Sequence, residues 1–170
     1  MKTVAEATKS KLLADLARTR RNILEAARSL SPTRRTAVFL GSWSARQLLA
    51  HLVGWDFTNL RAARELLSAK LPTFYGYHDP DWRTYNARLV ARYDKGTFTQ
   101  LLAKATASHN KLLRLVQVTP AAEIVRDHGV RFRGFHVTIE RLLNAELDDE
   151  RVHLRQLRQF GRAARAITRH

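Results

Sequence analysis

GSWSARQLLAHLVGWD, residues 41–56, is the stretch whose reading decides the fold. Ser44 and Gln47 are spaced as a capping box, in which each side chain satisfies a backbone N–H left open at a helix start. Beyond the cap, Leu48, His51, Leu52 and Trp55 recur at the spacing that gathers side chains on one helix face. The stretch predicts an amphipathic helix running to about Ala69, with a histidine on its apolar face.

Working outward, the same logic predicts three more long helices. Upstream, Ala5, Leu12, Leu16, Ile23, Ala27 and Leu30 keep helical spacing, so a first helix should run from Val4 to Leu30. Ser31-Pro32 ends it, because the residue before proline is pushed out of the α region. Downstream, residues 71–81 are rich in Pro, Gly, Asp and aromatics, and so long a loop reads as a functional, lid-like segment. A short helix, Trp82 to Tyr93, comes next. Thr97 and Gln100 repeat the capping box and open a third main helix to Gln117, with Phe98, Leu102, Ala105, His109, Leu112 and Val116 on one face. Thr119-Pro120 opens a brief helical turn. Residues 125–135, with Gly129 and Gly134, read as an irregular linker, and a last helix spans Val137 to Ala166. The expected fold is a single all-α domain over residues 1–170: four main helices, a short extra helix and irregular linkers.

Composition narrows the chemistry. The chain has 170 residues and no cysteine, so disulfides, thiolate nucleophiles and cysteine-based metal centres are excluded. This fits a reducing compartment, and the expected location is the cytoplasm. No apolar run approaches the roughly 20 residues that span a bilayer, and the first residues hold no signal-type apolar core. The net charge is +15. That surplus favours a polyanion, nucleic acid or an anionic membrane surface, unless it is only a solvated basic face.

Two features of the last helix carry candidate function. On a helical wheel, Glu146, Asp149 and His153 share the side of Leu157, Phe160, Ala164 and Ile167. Asp149 and His153, four apart, sit one above the other. Charged groups facing a bundle interior are costly unless paired or metal-bound. His51, Asp149 and His153 are therefore candidate catalytic residues and a candidate three-ligand site for a divalent metal such as zinc, nickel or iron. The alternative is a metal-free hydrogen-bonded network. His109 reads as a satisfied core histidine and is kept as a substrate-contact candidate. Arg151, Arg155, Arg158, Arg162, Arg165 and Arg169 alternate spacings of four and three and form a stripe on the opposite face. No acidic residue follows Glu150 to offset them, so phosphates are natural counterparts.

The quoted stretch resembles the second-helix motif of DinB/YfiT-like proteins, W-S-x-x-x-L-L-x-H-L-x-x-W. DPDWRTYNARLV (79–90) and GFHVTIERLLNAELDDERVHLRQL (134–157) resemble the ClbS/DfsB branch of that superfamily. The resemblance implies a four-helix bundle with up-down-down-up connectivity. It also implies a metal site of three histidines, one from the second helix and a His-x-x-x-His pair from the last. Here His51 and His153 match the outer two, and Asp149 stands where the middle histidine would be.

Three functions follow. The resemblance to the ClbS/DfsB branch implies self-resistance or detoxification by a hydrolase that opens a strained, DNA-alkylating electrophile. Its small-molecule substrate would sit against Trp55, Trp82, Tyr85 and His109, while the arginine stripe holds DNA without sequence preference. The alternatives are a metal-dependent thiol S-transferase and a non-catalytic DNA-binding bundle. Should the stripe not bind DNA, Arg18, Arg20, Arg21 and Arg28 are the next basic face. The oligomeric state is open, a dimer included.

Overall fold

Thr3, Ser44 and Thr97 each close a capping box, with Glu6, Gln47 and Gln100, and these caps start three of the four long helices. The structure is a computed structural model and describes residues 1–77 and 82–167, the last four of these as backbone only. The long helices are α1 (Val4–Arg28), α3 (Ala45–Leu67), α5 (Phe98–Val118) and α7 (Ile139–Ile167). Helix α3 stops short of the expected Ala69. Ala69 there takes a left-handed φ of 53°, and the Lys70 N–H folds back onto the Glu65 carbonyl at 2.9 Å, a C-terminal cap.

Cross-chain contacts fix the connectivity. Asp15 on α1 meets Arg151 on α7, and further along Leu30 meets Gly161, so α1 and α7 run parallel. Arg46 meets Gly96 at the head of α5, and Asp56 meets His109 further along, so α3 and α5 also run parallel. The order is up-down-down-up. A parallel α3–α5 pair forces the chain to travel back between them. A 3₁₀ turn, Thr73–Tyr77, and α4 (Arg83–Tyr93) provide the return. Gly54 lets α4 lie close: a Cβ there would sit 2.7 Å from Leu89 Cβ.

The connections hold more structure than expected. The first joint contains α2 (Pro32–Thr36) and a small hairpin, β1 (Val38–Leu40) with β2 (Trp43–Ser44). The expected helical turn after Pro120 is α6 (Ala121–Val125), whereas the stretch read as an irregular linker leads into a hairpin, β3 (Arg131–Phe132) with β4 (Phe135–His136). Its two turn residues, Arg133 and Gly134, have φ of 50° and 81°. Two positive φ values make the primed turn that suits strand twist, and glycine supplies one without strain.

Two apolar clusters fill the bundle. One holds Leu16, Leu60, Leu112 and Leu147; the other holds Ile23, Val53, Ala105 and Leu154. Between them, on each helix in turn, lies a buried polar residue: Arg20, Asp56, Ser108 with His109, and Glu150. Among the described residues no helix is long and apolar enough to cross a membrane.

Candidate functional site

α3 and α7 bring the three sequence-nominated residues together. Asp149 Oδ2 lies 3.1 Å from His153 Nε2 and 3.6 Å from His51 Nε2, and the two imidazole centroids are 5.2 Å apart. His51 is buried, yet the Asp149 side chain is 51% exposed. The wheel placed Asp149 inside. At its level α7 borders an open cavity rather than packed side chains, so the carboxylate meets solvent.

The contact at 3.6 Å is too long for a hydrogen bond, and both His51 ring nitrogens are buried without a partner. Burial pushes the His51 pKa down, only partly offset by Asp149, and favours the neutral ring. His153 moves the other way: burial lowers it, but its bonds to Asp149 and Gln156 outweigh that and raise it. For Asp149, burial works upward, and the His153 and His51 rings outweigh it and hold the carboxyl well below its usual range.

The cavity beside this cluster measures about 450 Å³. His51 and Asn59 line it from α3, and Glu146 and Asp149 from α7; Trp55, Phe74 and Trp82 form an aromatic wall, and Asn86 adds a polar point from α4. Trp55 meets Phe74 and Trp82 edge-on, with centroids 5.5 Å and 6.4 Å apart. The Trp55 indole N–H donates to Asn86 Oδ1 at 2.9 Å, tying α3 to α4. Asn59 Nδ2 donates to Glu146 Oε2 at 3.0 Å. Burial, then the nearby Glu150 carboxylate, holds the Glu146 carboxyl well above its ordinary range.

Three sequence-based placements are corrected. Tyr85 does not line the cavity; it stands behind Trp55 and Phe74, with its hydroxyl 2.7 Å from Thr58 Oγ1. His153 is off the wall as well, packed behind Asp149 against Gln156. His109 does not line the cavity: it is buried, with Nδ1 3.3 Å from Asp56 Oδ1, as the core-histidine reading expects.

That aspartate belongs to a node the sequence reading missed. Arg20 is buried among Asp56 and Glu150: Nη1 and Nη2 donate to the two Asp56 oxygens at 2.8 and 3.0 Å, and Nε and Nη2 donate to Glu150 Oε1. Ser108 Oγ adds a 2.5 Å bond to Asp56. Arg20 is thus no part of a basic surface. Its sequence signal is phase: it sits four residues after Leu16 on the apolar stripe, as Asp56 sits four after Leu52.

The arginine stripe divides. Arg155, Arg158 and Arg162 are exposed and have no hydrogen-bond or ion-pair partner among the described residues. Arg151 is not unpaired: it bonds Asp148 at 3.0 Å and reaches Asp15 at 3.4 Å. The Arg165 side chain and Arg169 lie outside the described residues.

The donor set can be tested against a metal. Ligand atoms of His51, Asp149 and His153 all lie within 4.8 Å of one another, and both His51 nitrogens are buried without a partner, so the one lone pair of the neutral ring is not engaged by the protein. Two imidazoles and a carboxylate with an open side fit zinc, nickel or ferrous iron. Asp56, His109 and Glu150 lie equally close together. There the Arg20 guanidinium already supplies the positive charge.

Fold and site together define an all-α bundle protein with a cavity beside a histidine–carboxylate cluster. The chain belongs to the DinB superfamily, whose family model matches residues 15–157. Three solved structures share the fold. The colibactin self-resistance protein ClbS, in complex with a dsDNA, is 16% identical, with TM-score 0.75 over 89% of this chain and 94% of that one. An uncharacterised protein from Escherichia coli UTI89 is 14% identical, with TM-score 0.73 over 92% and 94%. One from Clostridium difficile 630 is 10% identical, with TM-score 0.75 over 91% and 95%. No curated protein matches the chain in sequence.

Proposed function

We propose that this chain is a resistance or detoxification protein of the ClbS/DfsB kind, a hydrolase that opens a strained electrophilic ring on a small molecule held in the cavity. The observation that carries the reading is the meeting of His51 and Asp149 beside an aromatic-walled cavity of about 450 Å³, ample for a small ligand. Neutral His51 is the group to take a proton from the attacking water, and Asp149 orients that water. The water oxygen bonds to a ring carbon, the strained ring bond breaks, and its electron pair leaves with the other ring atom. Glu146, with its raised carboxyl on the same wall, is placed to protonate that atom; the proton taken by His51 then replenishes the acid through solvent. His153 holds Asp149 in place.

Exposed Arg155, Arg158 and Arg162 support a second element of the proposal, contact with duplex DNA through phosphates and without base readout. The fold shared with a DNA-complexed self-resistance protein is consistent with it.

A divalent cation held by His51, Asp149 and His153 would supply a polarised water or thiol at the same spot. The partnerless nitrogens of His51 favour that second reading, a metal-dependent thiol S-transferase. The deciding experiment offers an epoxide- or cyclopropane-bearing electrophile in oxygen-18 water, with and without a chelator. Hydrolysis is expected to leave one heavy oxygen in the product, and His51→Ala to slow it roughly 100-fold. Consumption at the same rate by His51→Ala would sink the proposal. Turnover only with an added thiol and metal would establish the second reading.

A further inference from the structure

Besides His51, Asn59 is a polar residue of the cavity wall whose bonding is incomplete. It is 1% exposed and lies on α3, two turns beyond His51. Its amino group donates to Glu146 Oε2 at 3.0 Å. Its carbonyl oxygen is buried with no hydrogen-bond partner. Two neighbouring acceptor atoms already have partners: Asn86 Oδ1 takes the Trp55 indole N–H, and Asp149 Oδ2 takes His153. A buried amide oxygen left unpaired is a standing penalty, and a ligand that brings a donor removes it. A site with such an acceptor discriminates strongly against analogues that lack the donor, because they leave it unpaired. Trp55, Phe74 and Trp82 add flat apolar faces next to it, which suit a planar unsaturated skeleton.

We infer that Asn59 is a specificity-determining residue, whose buried carbonyl oxygen selects substrates that present an N–H donor, such as a carboxamide, on a planar unsaturated frame. The inference rests on the reading of this cavity as the substrate site, and it deepens that reading by naming the substrate class. It needs no step of the chemistry.

The test uses a matched pair of probes on the full-length protein, trans-cinnamamide and N,N-dimethylcinnamamide, with binding measured by calorimetry or ligand-observed NMR. The two share the planar frame and the carbonyl and differ in the N–H donor. The wild type is expected to bind cinnamamide roughly 10–100-fold more tightly, the worth of one hydrogen bond to a buried acceptor. Asn59→Leu, similar in size and without the acceptor, should bring the two affinities together. Equal affinities in the wild type, or failure of both probes to bind at millimolar concentration, overturn the inference. The wild-type comparison stands even if Asn59→Leu does not fold. The outcome is separable from the hydrolase proposal. Ring opening that persists while the probes bind equally removes only the role of Asn59, and a clear preference for the amide with no ring opening removes only the chemistry.

Discussion

The cavity cluster and the Arg20 node are built from the same parts. Each brings histidine and carboxylate ligand atoms within 4.8 Å of one another between the long helices. They differ in what completes them. In the node, a guanidinium from α1 bonds both carboxylates, and every residue of the trio is buried. In the cavity cluster, among the described residues, only histidines pair with Asp149, its carboxylate opens to solvent, and His51 keeps both nitrogens unused. Proximity of ligand-type atoms therefore does not mark a reactive site. What separates the two is charge balance and access to the cavity, since each keeps buried atoms without a hydrogen-bond partner: His109 Nε2 and Glu150 Oε2 in the node, both ring nitrogens of His51 in the cluster.

The comparison breaks most visibly at Arg20. Arg20→Met should destabilise the protein by about 3–5 kcal/mol, since it strands two carboxylates in the interior. Lysine should not restore the loss, because an ammonium cannot bond Asp56 at two points. Urea unfolding of the two variants checks this; a change below about 1 kcal/mol would mean the node relaxes or admits water.

The cavity cluster should show the opposite profile. Asp149→Asn is expected to reduce ring opening roughly 100-fold while moving the unfolding free energy by under about 1 kcal/mol, because the side chain is half-exposed. Zinc titrated into metal-free protein sharpens the contrast further. Uptake should vanish in His51→Ala and survive in His109→Ala, which calorimetry can read directly.

How much of this was legible in the sequence depends on how local each determinant is. α3 was readable because its cap, Ser44 with Gln47, and its apolar face lie within a dozen residues. His51, Asp149 and His153 were readable as a set because helical phase puts each on the apolar side of its own helix; their meeting is a product of how α3 packs on α7. Arg20 was not, since it sits in the run Arg18–Arg21 and reads as surface; its partners are 36 and 130 residues away. The β3–β4 hairpin escaped because each strand is two residues long, too short for an alternating pattern. The exposure of Asp149 escaped for another reason: a wheel gives direction but not whether a neighbour or a void lies there.

A smaller effect separates the two histidines of the cavity cluster by pH. The folded pKa of His153 is raised, so its contribution to stability is full below the ordinary value of about 6.5 and is lost as pH rises through the folded value. The folded pKa of His51 is lowered, so its contribution is present above about 6.5 and lost as pH falls. The two slopes oppose each other and adjoin at about 6.5. His153→Gln should therefore leave stability rising with pH up to about 6.5, and His51→Phe should leave it falling above about 6.5, as thermal melts on either side of that value would show.

The least stability change is expected on the surface. Replacing Arg155, Arg158 and Arg162 together by Glu should move stability by no more than about 0.5 kcal/mol. The same change should weaken duplex DNA binding and lower the steepness of its salt dependence by about 3, one phosphate contact for each arginine removed. An unaltered salt slope would place any DNA contact elsewhere.

The position of Arg20 at the waist of the bundle also bears on how the chain folds. Its partners come from α3 and α7, and the node's remaining contacts come from α5, so no two helices can form it alone. A half-assembled bundle would hold unpaired charge against an apolar face, an arrangement that gains little until the last helix arrives. The node thus acts as a logical AND on assembly: intermediates lacking any one helix are disfavoured, and unfolding should be a single concerted transition with no populated two- or three-helix state.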